Sequence, residues 1–264
     1  MKNRLPLSMN ECQQEFVRLI KENSRRYRLH EVFRDFCEMA ALAISNSVDL
    51  AQFEAREAQY MQIIKRYEPE EARRFSKMLA MVTEGLSTSP HDFLGAVFMA
   101  LELSDSWKGQ FFTASELCKL MARLNNGPLD AWRQAQEEGR FFTMHEPAVG
   151  AGAMVIAYAD LMQEEGINFQ QVMHVNAWDI DATAVHMAYI QFSLLYIPAV
   201  VVQGNTLTLK QWGTWYTPAH VLGGWSRRLA AEQEVVSEKT ELAPRYLAET
   251  KVSLILPKDQ LALF

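Results

Sequence analysis

A chain of 264 residues with 49% hydrophobic content can bury at least one sizeable core and has room for two domains. Its formal net charge of -6 excludes an overall basic field of the kind that drives non-specific nucleic-acid binding, so any such contact must come from local patches. Cys12, Cys37 and Cys118 are odd in number, far apart and without Cys/His spacing, which argues against a disulfide framework or a metal site and for a reducing compartment, the cytoplasm. No segment has the form of a signal peptide and no run approaches the ~20 apolar residues of a membrane span, so a soluble protein is expected.

Through about residue 105 the apolar spacing is helical: Phe16, Leu19 and Ile20, then Val32, Phe33, Phe36 and Met39, then Met61, Ile64 and Tyr67. Ser8 with Glu11 predicts a capping box, and Ser89 before Pro90 predicts another helix start. Residues 1–105 are therefore expected to form a domain of four or five helices. After Trp107 short β-rich runs alternate with helices, the signature of βαβ units. The spacing predicts a helix over Ala114 to Leu124, a strand ending near Glu146, a helix over Ala153 to Gln163, a strand over Val172 to Trp178, a helix over Ala182 to Tyr196 and a strand over Ala199 to Gln203. Trp212 to Trp225 reads as an ordered loop rich in aromatics and glycine. A charged helix from Ser226 to about Glu238 and a last strand, Val252 to Leu256, complete the pattern. Residues 106–264 are expected to form an incomplete doubly wound α/β sheet.

The sharpest local feature is Glu146-Pro147-Ala148-Val149-Gly150-Ala151-Gly152 between a strand and a helix. Gly150 and Gly152 permit a tight turn and close approach of a ligand to the backbone, and the helix start offers unpaired N–H groups. A lone Gly-x-Gly serves a structural turn as readily as a ligand loop. About 30 residues on, the next strand ends in Asp179-Ile180-Asp181, where an acidic side chain can take a ribose diol. Asp181 is also placed to cap the following helix, which would leave Asp179 for the ligand.

Four segments, GQFFTASELCKLMARL (Gly109 to Leu124), EPAVGAG, AWDIDATAVHMAYIQF and VQGNTL, stand in the order and spacing of the adenine-specific amino-methyltransferases of DNA. The chain resembles most the modification subunits of type I restriction-modification systems. The resemblance implies a truncated Rossmann-like S-adenosylmethionine-dependent methyltransferase domain behind the helical one. It implies that Phe111, Phe112 and Thr113 line the methionine end of the cofactor, with Thr113 and Glu116 forming a second capping box. It puts Glu146 at the methionine ammonium, Pro147, Ala148, Gly150 and Gly152 in the turn beneath the cofactor, Asp179 at the ribose and Ile180 on adenine. Asn205 stands where the family has an aspartate that accepts from the adenine amino group, and an amide oxygen can accept there without charge.

The family's Asn/Asp-Pro-Pro-aromatic tetrapeptide, which grips the flipped target base, has no counterpart: the sequence contains no Pro-Pro. Pro257-Lys258-Asp259-Gln260 follows the expected fourth strand instead, no target-recognition domain is evident, and no catalytic residue is assigned. Trp215-Tyr216-Thr217-Pro218 is the possible substitute. The six histidines show neither metal-ligand spacing nor triad order, so no metal is expected. Lys21, Arg25, Arg26 and Arg28 around Tyr27 read as a solvated helix end. Gln260-Leu261-Ala262-Leu263-Phe264 resembles the pentapeptide that docks into the bacterial sliding clamp. Gln260, Leu261, Leu263 and Phe264 would bind that partner, or else the apolar three would pack on the sheet.

The reading is an S-adenosylmethionine-binding protein acting at DNA, non-catalytic alone or dependent on a partner subunit or a second copy. The alternatives are a working adenine methyltransferase with a nonstandard catalytic loop, and a non-enzymatic interaction protein such as a restriction decoy or clamp-bound regulator.

Overall fold

A computed structural model describes residues 9–103, 113, 115–125 and 129–232. Helices α1 (Glu11–Asn23), α2 (Leu29–Asn46), α3 (Phe53–Ile64), α4 (Pro69–Leu86) and α5 (Phe93–Ala100) open the chain, as the apolar period predicts. Their buried stripes meet around Phe16, whose ring takes edge contacts from Phe33, Phe36 and Phe93. The starts differ from expectation. The capping box of α1 lies on Asn10 and Gln13, which exchange hydrogen bonds of 2.8 and 3.1 Å, because Gln13 supplies the reciprocal amide that the box needs. Pro90 precedes α5, whose cap is Asp92, accepting from Gly95 N–H at 2.8 Å.

Next come α6 (Ser115–Asn125), α7 (Leu129–Glu137), β1 (Phe142–Glu146), α8 (Ala153–Glu164), α9 (Phe169–Val172), β2 (Met173–Asp179), α10 (Ala182–Leu194) and β3 (Ala199–Asn205). β4 (Lys210–Tyr216) and α11 (Pro218–Leu222) follow. The sheet order is β1-β2-β3-β4, with β1, β2 and β3 parallel and β4 antiparallel to β3. The α/β class and the βαβ order are as the sequence implies. Val175, Ala177, Ala199 and Val201 are fully buried, and one continuous core runs from Met9 in front of α1 to Trp215 in β4.

Trp212 to Trp225 is not a loop. The run Lys-Gln-Trp-Gly-Thr-Trp-Tyr has the aromatic and β-branched content of a strand, but Gly213 and a bulge at Gln203/Gly204 interrupt the alternation that would mark it. Arg56 of α3 secures it, donating to Thr214 O at 2.8 Å and stacking 4.1 Å from the Trp215 ring. The chain forms two compact units divided between Gly223 and Gly224. In the second, residues 225–232 are helical, agreeing with the start of the expected charged helix, and Arg228 lies 3.8 Å over the Trp225 ring. The remainder of that helix, the strand Val252 to Leu256 and the Gln260 to Phe264 segment lie outside the described residues. No helix of the described residues is long and apolar enough to cross a membrane.

Candidate functional site

The parallel strands β1, β2 and β3 end together, and their last residues are Glu146, Asp179 and Asn205. Register aligns Glu146 with Ala177 and Asp179 with Gln203, so the three polar side chains share the carboxyl edge of the sheet, where ligands of open α/β folds bind. The glycine turn is tied to that edge at several points. Val149 N–H donates to Trp178 O at 2.7 Å, Gly150 N–H to Asp179 Oδ2 at 2.9 Å, and Thr206 Oγ1 to Pro147 O at 2.7 Å. Gly150 (φ 55°) and Gly152 (φ 100°) are left-handed, and a Cβ on Gly152 would lie 2.6 Å from the Phe192 ring.

Asp181 caps α10 by accepting from Ala184 N–H at 3.0 Å, as expected. Asp179 is less open than the sequence suggests: Oδ1 accepts from Asp181 N–H and Oδ2 from Gly150 N–H, both at 2.9 Å. Each oxygen keeps a second lone pair for a ligand hydroxyl. Ile180 is 60% exposed on the rim, an apolar surface in place for a flat ring. Asn205 corrects its expectation. Its Oδ1 accepts from Leu207 and Thr208 N–H at 3.0 and 3.1 Å, so the group it can offer is its Nδ2 donor, not an acceptor. Pro147 and Ala148 are exposed, and Ala148 N–H reaches Glu146 Oε1 at 3.3 Å. Phe111 and Phe112 lie outside the described residues, as does Ala114 between Thr113 and Glu116; Thr113 itself is exposed in front of α6.

Burial raises the pKa of Glu146 above the ordinary carboxylate range, against the Ala148 N–H contact, and the charge of Asp179 adds to it. Burial likewise raises Asp179, opposed by its backbone hydrogen bonds. Two partly desolvated carboxylates on one rim suit a cationic ligand. A cation beside Glu146 would weaken as acid protonates the pair, beginning above the normal carboxylate pKa. Without ligand the sign is reversed: the folded state binds protons more readily than the unfolded, so stability rises as pH falls from the raised folded values to the unfolded ones. Glu146→Gln is therefore expected to raise the apoprotein Tm slightly and to weaken S-adenosylhomocysteine binding about tenfold. Parallel thermal melts and calorimetry check this, and a fall in both would show that Glu146 serves the fold.

Sequence reasoning missed the support behind the glycine turn. Gln191 of α10 is fully buried; its Nε2 donates to Ala151 O at 2.7 Å and to Asp92 Oδ1 at 2.9 Å, and its Oε1 accepts from Leu94 N–H at 3.0 Å. Trp215-Tyr216-Thr217-Pro218 is no substitute catalytic loop. Register pairs Val200 with Tyr216 and Asn205 with Lys210, which puts this tetrapeptide at the opposite end of the sheet from the glycine turn. Trp215 is buried against His186 and Tyr189, and Thr217, fully buried, bonds Ile197, Ala199 and His220. Burial drives His186 down to about 4, so its imidazole is neutral near pH 7. His174 and His220 share a 2.9 Å hydrogen bond, also away from the glycine turn, and no group of three or more metal-ligating side chains occurs among the described residues.

Residues 98–222, spanning α5 to α11, match the family described as N-6 DNA methylase. The match covers just under half of the chain. The matched segment contains the glycine turn, all three strand-end polar residues and Gln191. Among solved structures, a Listeria monocytogenes chain assigned to the class I S-adenosylmethionine-dependent methyltransferases aligns at 14% identity and a TM-score of 0.41. The alignment covers 75% of this chain and 55% of that one, so the present chain spans about half its length. No curated protein matches the chain.

Proposed function

We propose that the chain binds S-adenosylmethionine at the Gly150 turn and acts at DNA in the cytoplasm, without transferring a methyl group unaided. The observation that carries this is the Asp179 carboxylate bonded to Gly150 N–H, which joins the strand-end acid and the glycine turn into one cradle. The described residues suit the cofactor: Glu146 for its ammonium, the remaining lone pairs of Asp179 for its ribose diol and Ile180 for its adenine; the family resemblance would add Phe111, Phe112 and Thr113 at the methionine end. The cofactor, when bound, supplies a methyl group activated on a sulfonium. Methyl transfer needs in addition a grip on the target amino group, and the sequence holds no Pro-Pro tetrapeptide for it. A partner subunit or second copy would supply that grip, and Gln260, Leu261, Leu263 and Phe264 would tether the protein to a bacterial sliding clamp.

Calorimetry with S-adenosylhomocysteine tests the cofactor reading. Wild-type protein is expected to bind, and Asp179→Ala to lose at least about tenfold in affinity. Absence of binding at millimolar ligand, or unchanged binding in Asp179→Ala, overturns it. Tritiated methyl transfer to mixed-sequence DNA above a no-enzyme control would overturn the non-catalytic part, and absence of clamp binding by surface plasmon resonance would remove the tether.

A further inference from the structure

Asp92 and Gln191 are 99 residues apart, both buried and hydrogen-bonded to each other, and Gln191 also reaches the backbone of the glycine turn. Ala151, whose carbonyl takes the 2.7 Å hydrogen bond from Gln191, stands between the two left-handed glycines. Fixing that carbonyl fixes the orientation of the peptide joining Ala151 to Gly152. The next residue of α10, Phe192, lies against the Gly152 Cα and leaves no room for a side chain there. Only a carboxamide can fill the bridging position, since its oxygen accepts from Leu94 N–H while its nitrogen donates twice. Asp92 Oδ1 is shared: it accepts from Gln191 and also caps α5 through Gly95 N–H at 2.8 Å. The cap of a helix in the N-terminal helical region and the support of the cofactor turn therefore meet on one oxygen atom.

We infer that Asp92 and Gln191 are positioning residues that hold the Gly150–Gly152 turn in its ligand-ready form, making the N-terminal helical region a working part of the cofactor site. The inference rests on the cofactor reading above. Neither residue needs to touch the cofactor. With the turn held before the ligand arrives, binding does not bear the cost of ordering it. Gln191 is fully buried, so removing one member of the bridge leaves the others short of a partner.

The test uses the full chain, S-adenosylhomocysteine as probe, and amide hydrogen exchange of residues 148–153 without ligand. Asp92→Ala and Gln191→Met are each expected to weaken binding about tenfold and to speed exchange at the turn, at a temperature where both stay folded. Asp92→Asn keeps an oxygen for Gly95 and Gln191 and is expected to bind within about twofold of wild type. Gln191→Met keeps the Asp92 cap on Gly95 N–H, losing only the Leu94 contact at the start of α5, and so tests the bridge with that cap in place if Asp92→Ala unfolds. A merely structural bridge would lower Tm and leave affinity and exchange at the turn unchanged, which overturns the inference. Asp92→Asn binding as poorly as Asp92→Ala overturns it too, because charge and not bridging would then be responsible. Failure of the wild-type protein to bind falls on the cofactor reading, whereas unchanged exchange at the turn in folded Gln191→Met falls on the bridge alone.

Discussion

Gly152→Val is expected to abolish measurable S-adenosylhomocysteine binding and to destabilise the protein by about 2–6 kcal/mol. Two costs combine. At φ 100° a β-branched residue leaves its allowed backbone regions, at about 1–3 kcal/mol. The new Cβ would also lie 2.6 Å from the Phe192 ring in a packed interior, where forced repacking costs about 1–3 kcal/mol more. Gly166→Ala is the control: φ is 71°, but nothing lies within 4 Å of the added carbon, so only a backbone cost of about 1–2 kcal/mol is expected. Urea unfolding with calorimetry on both variants decides. Unchanged affinity in folded Gly152→Val would mean that the turn is not part of the ligand site.

What the sequence disclosed and what it hid divide along the range of the interactions involved. The βαβ core was legible because its signals are local: short apolar runs for β2 and β3, a Gly-x-Gly turn before α8, and Asp181 in front of α10. Helix starts in the N-terminal region were misplaced by two and three residues, since Ser8, Asn10, Ser89 and Asp92 are all good caps and tertiary packing selects among them. α7 escaped because most of its surface is exposed and only Ala135 is fully buried. β4 escaped because its anchor is Arg56, 158 residues away from Thr214. At the site, residue types at strand ends were readable, but the use of their atoms was not. The Asn205 oxygen is taken up by its own turn, a local habit of Asn that the strand-end reading passed over, whereas nothing local says that Asp92 and Gln191 meet.

Arg56→Ala is the second large effect expected, a destabilisation of about 3–5 kcal/mol. Arg56 is buried, with its guanidinium 2.9 Å from Asp49, bonded to Ser45 Oγ and Thr214 O, and stacked on Trp215. Truncation leaves the Asp49 carboxylate, 10% exposed, without its counter-charge and the Thr214 carbonyl without its donor. Arg56→Lys is expected to recover only part, because an ammonium cannot serve Asp49 and Thr214 through one planar fork or stack on the indole in the same way. Most of the loss should be the cost of stranding Asp49, not the worth of the pair itself, so Asp49→Ala in the Arg56→Ala background is expected to restore some stability. The damage should also spread along the sheet. β4 pairs with β3, whose far end carries Asn205 and leads into Thr206, the residue that bonds Pro147 of the glycine turn. Faster amide exchange is therefore expected across residues 210–216 and then at 205–208, with a smaller loss of S-adenosylhomocysteine affinity than in Gly152→Val. If Arg56→Ala melts within a degree of wild type, the buried pair is not what holds β4 to the helices. If it melts early with exchange at 210–216 unchanged, the loss lies within the helices, and β4 is secured by its pairing with β3 alone.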